Sequence, residues 1–334
     1  MRALRLVAFG DPPAFALTEE PDPEPAAGEV VVDLRAAALN RRDPWVWATP
    51  GYCPLPVTLG SDGAGVISAI GDGVDGLRTG DDVVINPTLG WPADEDVPGP
   101  SFDILGAPLD GTFAERVVVP AANVARMPER LSYTEAAALS LGGLTAWRAA
   151  VSCAGARPGR SVLVTGAGGG VSTFAIQIAV ARGAQVWVTT SSERKLDRAR
   201  ELGAAGGVLY GADDWPGRLR EAAGGGLDAA IDSYGGATWP GALRALRDGG
   251  TLVSYGDTGA PDATVQLMDV YWHWRSIVGT TMGSPREYAA LLAHVREASW
   301  RPVLDSTFPL ERFEDAIARF EDAPDRFGKV VLEI

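Results

Sequence analysis

Residues 162–172 read VLVTGAGGGVS, an apolar β-branched run followed by four glycines and the start of a helical apolar pattern. A glycine-rich turn between a strand and a helix lets the backbone approach a pyrophosphate closely. The phosphate charge then sits at the positive end of the helix. Gly168, Gly169, Gly170 and Val171 are the candidate cradle. The last position of the dinucleotide fingerprint, where a third glycine is usual, holds Ser172. That glycine mainly permits close helix–strand packing, and serine adds only a hydroxymethyl group there.

The next strand-like segment, QVWVTT, ends in Thr190, Ser191 and Ser192, where NAD-specific domains place an acid for the ribose hydroxyls. The nearest acid, Glu193, falls where a helix should begin, and its side chain can serve that terminus instead. Small hydroxyls leave room for a 2′-phosphate, and Arg194 and Lys195 follow within one helical turn to complete a charge-assisted site. The segment therefore predicts NADPH as cofactor. The alternative is an ordinary solvated first turn.

A second set of chemistry-bearing residues lies near the N-terminus. Asn40 carries an amide able to donate to a carbonyl oxygen, or to cap a turn at a strand end. Asp43 either orients Arg41 or Arg42 or forms an Asx turn before Pro44. Tyr52 carries a phenol able to donate a proton, unless it merely packs at a loop base. Trp45 and Trp47 could wall a flat pocket, although packing is the plainer reading. Asp62 reads as a turn residue rather than a base.

The elements that must position these residues fall into two styles. Up to about residue 127, short β-branched strands alternate with glycine turns roughly every ten residues, which marks an antiparallel barrel-like fold. Ser132 followed by Glu135 has the spacing of a capping box. From 161 the rhythm becomes strand–helix alternation, the signature of a parallel sheet. SVLVTG, QVWVTT, GGVLYG, LDAAIDSY, GTLVSYG and RSIVGTT supply six strands, enough for a doubly wound sheet, with GALRALRDGG among the intervening helices. Tyr255, Gly256 and Thr258 close the fifth strand at the carboxyl edge, where ligands of such folds bind, and Gly279 and Thr280 close the sixth. The tail returns to the first style, with the amphipathic ERFEDAIARFED and a last strand, GKVVLEI.

Bulk properties narrow the function classes. The formal charge of −14 repels nucleic acid and anionic membrane surfaces, and no Lys/Arg cluster offsets it. No apolar run approaches the roughly 20 residues that span a bilayer. No signal peptide is apparent, and Cys53 and Cys153, 100 positions apart, suit a reduced cytoplasmic protein. WPADEDVPGPSFD (91–103) reads as a surface loop.

With both halves in view, the chain resembles the medium-chain dehydrogenase/reductase superfamily. The resemblance rests on ALNRRD (38–43), LGSDGAGVISAIGDGVDGLRTGDDV (59–83), GTFAERVVVP (111–120), GLTAW (143–147), the glycine turn and GKVVL. It implies an α/β protein with a GroES-like β-barrel catalytic domain (1–127 and 283–334) and a Rossmann domain (128–282). The active site would lie in the cleft between them. It also implies that Asn40 lines that cleft, that Thr145 meets the nicotinamide end, that Tyr210 lies beside the adenine ribose and that Lys329 is near the cofactor phosphates.

Where zinc alcohol dehydrogenases of this superfamily keep a catalytic cysteine and a histidine, this chain has Asn40-Arg41-Arg42-Asp43 and Gly60-Ser61-Asp62. The segment corresponding to the structural-zinc lobe, Trp91–Phe102, has no cysteine. Zn²⁺ prefers sulfur and nitrogen donors, so a zinc site is not expected. What remains resembles the zinc-independent quinone oxidoreductase branch, implying hydride transfer from NADPH to a quinone or an α,β-unsaturated carbonyl compound. The rival readings are a non-catalytic NADPH-binding structural or regulatory protein and an alcohol dehydrogenase. The resemblance further implies a homodimer, or a dimer of dimers, built on the apolar edge of RSIVGTT.

Overall fold

The computed structural model describes residues 1–92 and 96–334. Residues 93–95, within the stretch read as a surface loop, lie outside the described residues. The chain forms two compact units, Met1–Gly142 with Ser284–Ile334, and Gly143–Gly283. The first division between these units falls after Gly142, inside the helix Tyr133–Trp147. That helix opens with the expected capping box: Ser132 N–H donates to Glu135 and Glu135 N–H to Ser132 Oγ.

The first unit is the GroES-like β domain. Its larger sheet runs Val124–Arg126, Asp82–Ile85, Asp62–Ile70, Glu29–Ala38, Lys329–Glu333, Leu304–Pro309, with Arg116–Pro120 also pairing Glu29–Ala38. A smaller sheet orders Ala14–Glu19, Arg2–Ala8 and Val57–Thr58. Val30, Val32 and Leu34 alternate along the long strand and enter one core cluster with Ile67, Val83 and Ile85. Val31 and Ala36–Ala38 are buried as well, so this strand is covered on both faces along much of its length.

Register in this sheet decides what meets at the strand ends. Ala38 pairs with both Asp62 and Val331, and Leu39 N–H donates to Val330 O at 3.0 Å. Three segments distant in sequence (residues 38–43, 60–62 and 329–331) therefore converge. Gly60, at φ +95°, precedes Asp62 because a Cβ there would stand 2.5 Å from the Phe113 ring.

The second unit is a parallel sheet ordered Gly206–Leu209, Gln185–Thr190, Ser161–Val164, Leu227–Asp232, Leu246–Ser254, Ser276–Gly279. In chain order this is 3-2-1-4-5-6, the doubly wound arrangement. One local expectation is corrected: the helix in GALRALRDGG stops at Ala245, and Leu246 already pairs with Leu227. The buried Arg275 guanidinium, which donates to Leu246 O at 2.8 Å, and Gly249 at φ +73° fit a strand entry rather than another helical turn.

Candidate active site and cofactor cradle

In the second unit, all six strands direct their carboxyl ends to one edge, and the glycine turn lies there. Gly166 (φ +64°) and Gly168 (φ +119°) adopt backbone that other residues disfavour. Ser172, in place of the usual third glycine, packs into the turn. Its buried hydroxyl lies 2.9 Å from both Gly166 O and Gly169 O, so it binds the turn from within. The turn is also tied to the second strand, because Ala167 N–H donates to Thr189 O and Thr190 Oγ1 donates to Ala167 O. Thr190 is thus buried and already engaged.

The helix Gly170–Ala181 starts from Gly169 with no side-chain cap and no acidic residue in its first turn. Its terminal N–H groups keep no side-chain acceptor of their own, which suits a bound anion. Ser192 caps the next helix, Glu193–Glu201, through Lys195 N–H, while Ser191 and Arg194 are exposed. Tyr210, just past the third strand, is also exposed. Gly256 and Thr258 are exposed beyond the fifth strand, and burial raises the Tyr255 phenol above its ordinary range. Thr145 is 5 % exposed, and its Oγ1 is a buried polar atom without a partner. An uncapped helix N-terminus and this orphan hydroxyl are what a dinucleotide would use.

Sequence reasoning passed over Asp232. It is fully buried at the end of the fourth strand, accepting from Thr165 Oγ1 at 2.6 Å and from the backbones of Tyr234 and Gly235. Burial pushes its carboxyl up despite those bonds. The sequence signal was an acid closing the strand LDAAID after three apolar residues.

In the first unit, Lys329 is 3 % exposed, and its ammonium donates to Leu39 O, Asn40 Oδ1 and Asp62 Oδ2 at 2.8, 2.6 and 2.8 Å. Its three donors are taken up inside the domain. Asp62 is no simple turn residue. It is fully buried, and its Oδ1 accepts from Leu141 N–H at 2.6 Å while Oδ2 takes Lys329 and Asn40 Nδ2. The amide of Asn40 is fixed by this company. Its oxygen faces Lys329, and Nδ2 donates to Asp62 at 2.9 Å and Ala38 O at 3.3 Å. A substrate oxygen would have to displace one of these acceptors.

Asp43 does not pair with Arg41 or Arg42. Its Oδ2 accepts from Asn40 N–H at 2.7 Å, and Asp43 N–H donates back to Asn40 O at 3.0 Å. It is 1 % exposed, and Oδ1 has no partner. Burial raises its carboxyl to about 7, against the opposing pull of the Asn40 N–H and the Arg42 and Lys329 charges. Trp47 is buried edge-to-face with Phe15, whereas Trp45 is exposed and packs on Tyr52. Among the described residues, no group of three or more His, Cys, Asp or Glu side chains could hold a metal ion.

Two family descriptions match the chain: Alcohol dehydrogenase GroES-like domain over residues 26–129, and Zinc-binding dehydrogenase over residues 170–297. A zinc-type alcohol dehydrogenase-like protein of Schizosaccharomyces pombe is 34% identical over 319 residues, spanning 92% of this chain and 91% of that one. The chain belongs to the medium-chain dehydrogenase/reductase superfamily. Another member of this superfamily, the quinone oxidoreductase of Homo sapiens, is 29% identical over 342 residues, spanning 99% and 97% of the two chains. A crystal structure of an NAD-dependent alcohol dehydrogenase superposes with a TM-score of 0.92 at 40% identity, over all of both chains. The chain is therefore an oxidoreductase of the nicotinamide-dependent kind.

Proposed function

We propose that this oxidoreductase uses NADPH to reduce a quinone or an α,β-unsaturated carbonyl compound, without zinc. The observation that carries this reading is the cluster around Lys329. At the positions where zinc-type members keep cysteine and histidine, this chain presents Asn40, Ser61 and Asp62, with a lysine ammonium among the oxygens. Oxygen donors already holding a cation are a poor match for Zn²⁺. Elemental analysis of the purified protein should find no stoichiometric zinc.

The reduced nicotinamide supplies hydride, and activated acceptors of this class need chiefly positioning and stabilisation of the oxyanion that forms. On this reading the backbone from Gly168 to Val171 holds the pyrophosphate. Ser191, Ser192, Arg194 and Lys195 take the 2′-phosphate, Tyr210 the adenine ribose, and Thr145 the nicotinamide amide. Tyr255, Gly256 and Thr258 complete the rim. In the first unit, Asp43 stores a proton at neutral pH, Asn40 and Lys329 hold Asp62 in place, and Tyr52 offers a phenol.

NADPH should exceed NADH in kcat/KM by roughly ten- to a hundredfold, the worth of one charge-assisted contact. Lys195→Glu should erase most of that preference by raising KM for NADPH while nearly preserving kcat. Steady-state assays with a panel of quinones and enones test both statements, and equal efficiency with the two cofactors refutes the assignment. The NAD-dependent relative at 40% identity favours a second reading, alcohol oxidation. Turnover of alcohols with NAD, and none of quinones or enones with NADPH, would decide for it. Tight NADPH binding with no turnover of any acceptor would favour a structural or regulatory protein.

Assembly belongs to the same proposal. The edge strand of the parallel sheet, Ser276–Gly279, pairs on one side only among the described residues, and Leu267, Met268, Tyr271, Trp272, Trp274 and Ile277 near it are exposed. An unprotected strand edge beside exposed apolar side chains needs a cover. Light scattering at micromolar concentration should give a dimer or a dimer of dimers, and a monomer would defeat this. Among the described residues, no helix is long and apolar enough to cross a membrane. Two cysteines 100 positions apart, Cys53 and Cys153, support a cytoplasmic setting.

A further inference from the structure

Arg42 opens the helix Arg42–Trp47 and reaches back over the loop that follows it. Its Nη2 donates to Ala107 O at 2.7 Å and to the Tyr52 hydroxyl oxygen at 3.2 Å. The guanidinium carbon stands 5.8 Å from the centre of the Tyr52 ring. Ala107 is fully buried, so this carbonyl anchors the guanidinium to the domain core. Nη1 is buried with no partner, and no carboxylate lies within ion-pair distance of Arg42 among the described residues. Tyr52 is held from its other side by Trp45, whose ring meets it edge-on at 4.8 Å and 77°. Both rings are exposed, Trp45 by 49 % and Tyr52 by 37 %.

A phenol oxygen both donates and accepts, but an arginine only donates. The bond from Arg42 therefore fills the accepting side of the Tyr52 hydroxyl and leaves its hydrogen for an outside acceptor. We propose that Arg42 is a positioning residue that commits Tyr52 to donate its proton to the oxygen of a flat carbonyl acceptor packed at the Trp45–Tyr52 corner. This rests on the reductase reading above. When hydride adds to the acceptor carbon, the displaced π pair moves to the carbonyl oxygen. The Tyr52 O–H bond breaks, an O–H bond forms on the acceptor, and the phenolate left beside Arg42 is reprotonated from water. The guanidinium charge then faces the oxygen on which negative charge appears.

The test is a double-mutant cycle in the full chain, with Tyr52→Phe, Arg42→Met and both together. Arg42→Gln serves as a second variant that keeps an amide donor should Arg42→Met fold poorly. With NADPH and 1,4-naphthoquinone, each single change should lower kcat about tenfold or more while KM for NADPH stays put. The double variant should be no slower than the slower single one, because Arg42 acts through Tyr52. Calorimetric binding of 4-nitrophenolate, a flat aromatic oxyanion, should weaken about tenfold in each single variant and no further in the double. Multiplying losses in either measurement, or unchanged kcat in Tyr52→Phe, would overturn the proposal. Failure of the reductase reading looks different: the unmutated chain would consume no NADPH while the 4-nitrophenolate coupling persisted.

Discussion

Lys329→Met should destabilise the protein by about 3–5 kcal/mol, the cost of removing one partner from a buried ion pair. The side chains of Asp62 and Lys329 are 0% and 3% exposed and meet at 2.8 Å. Methionine matches most of the lysine stem, so packing survives, but the Asp62 charge loses its counter-ion where water cannot replace it. Asn40 loses the donor that fixes its amide, and Leu39 O loses its partner. Adding Asp62→Asn should restore a large part of the loss, since an asparagine oxygen can still accept from Leu141 N–H. Urea unfolding of the three proteins at one pH checks this, and an unchanged midpoint in Lys329→Met would show that the pair contributes nothing net. The coupling between the two changes is the informative number, because it separates the pair from the shape of the site.

Asp43→Asn should stabilise the protein at pH 8 and do progressively less as the pH falls toward 4. Burial raises the folded-state pKa from an ordinary 3.8 to about 7, so between those values the folded chain binds more protons than the unfolded one. Stability then falls as pH rises through that window, is fully present below about 4 and is fully lost above about 7. Three pKa units correspond to about 4 kcal/mol at 1.36 kcal/mol each. Asparagine mimics the protonated carboxyl: its oxygen can accept from Asn40 N–H, and it carries no charge to desolvate. Plotted against pH, the stability of Asp43→Asn relative to the unmutated chain should climb by about that amount from pH 4 to pH 8. A flat difference would mean that Asp43 titrates as an ordinary surface acid. A turnover that falls above pH 7 in the unmutated chain and not in Asp43→Asn would tie this titration to activity.

Much of the nucleotide half was legible because its signals are local. Strand–helix alternation, a glycine turn at a strand end and the absence of an acid after QVWVTT are carried by neighbouring residues, and a parallel sheet follows from them with little freedom. The capping box at Ser132 and Glu135 is another contact of short sequence range, and it formed as spelled. Even Ser172, a departure from the usual pattern, acts on carbonyls only three and six residues away. By contrast, the polar cluster of the barrel half depends on register. Asn40, Asp62 and Lys329 are brought together because Ala38 pairs with Asp62 on one side and Val331 on the other, 267 residues separating the ion pair. Nothing local marks Asp62 as a buried anion, or shows that Lys329 turns inward and leaves Asn40 no free donor. The residue types themselves, an amide and two acids where cysteine and histidine would bind zinc, were determined by sequence alone. Which of them would carry charge, hold a proton or merely brace another was decided by tertiary structure, because desolvation and pairing exist only once the strands have closed around them.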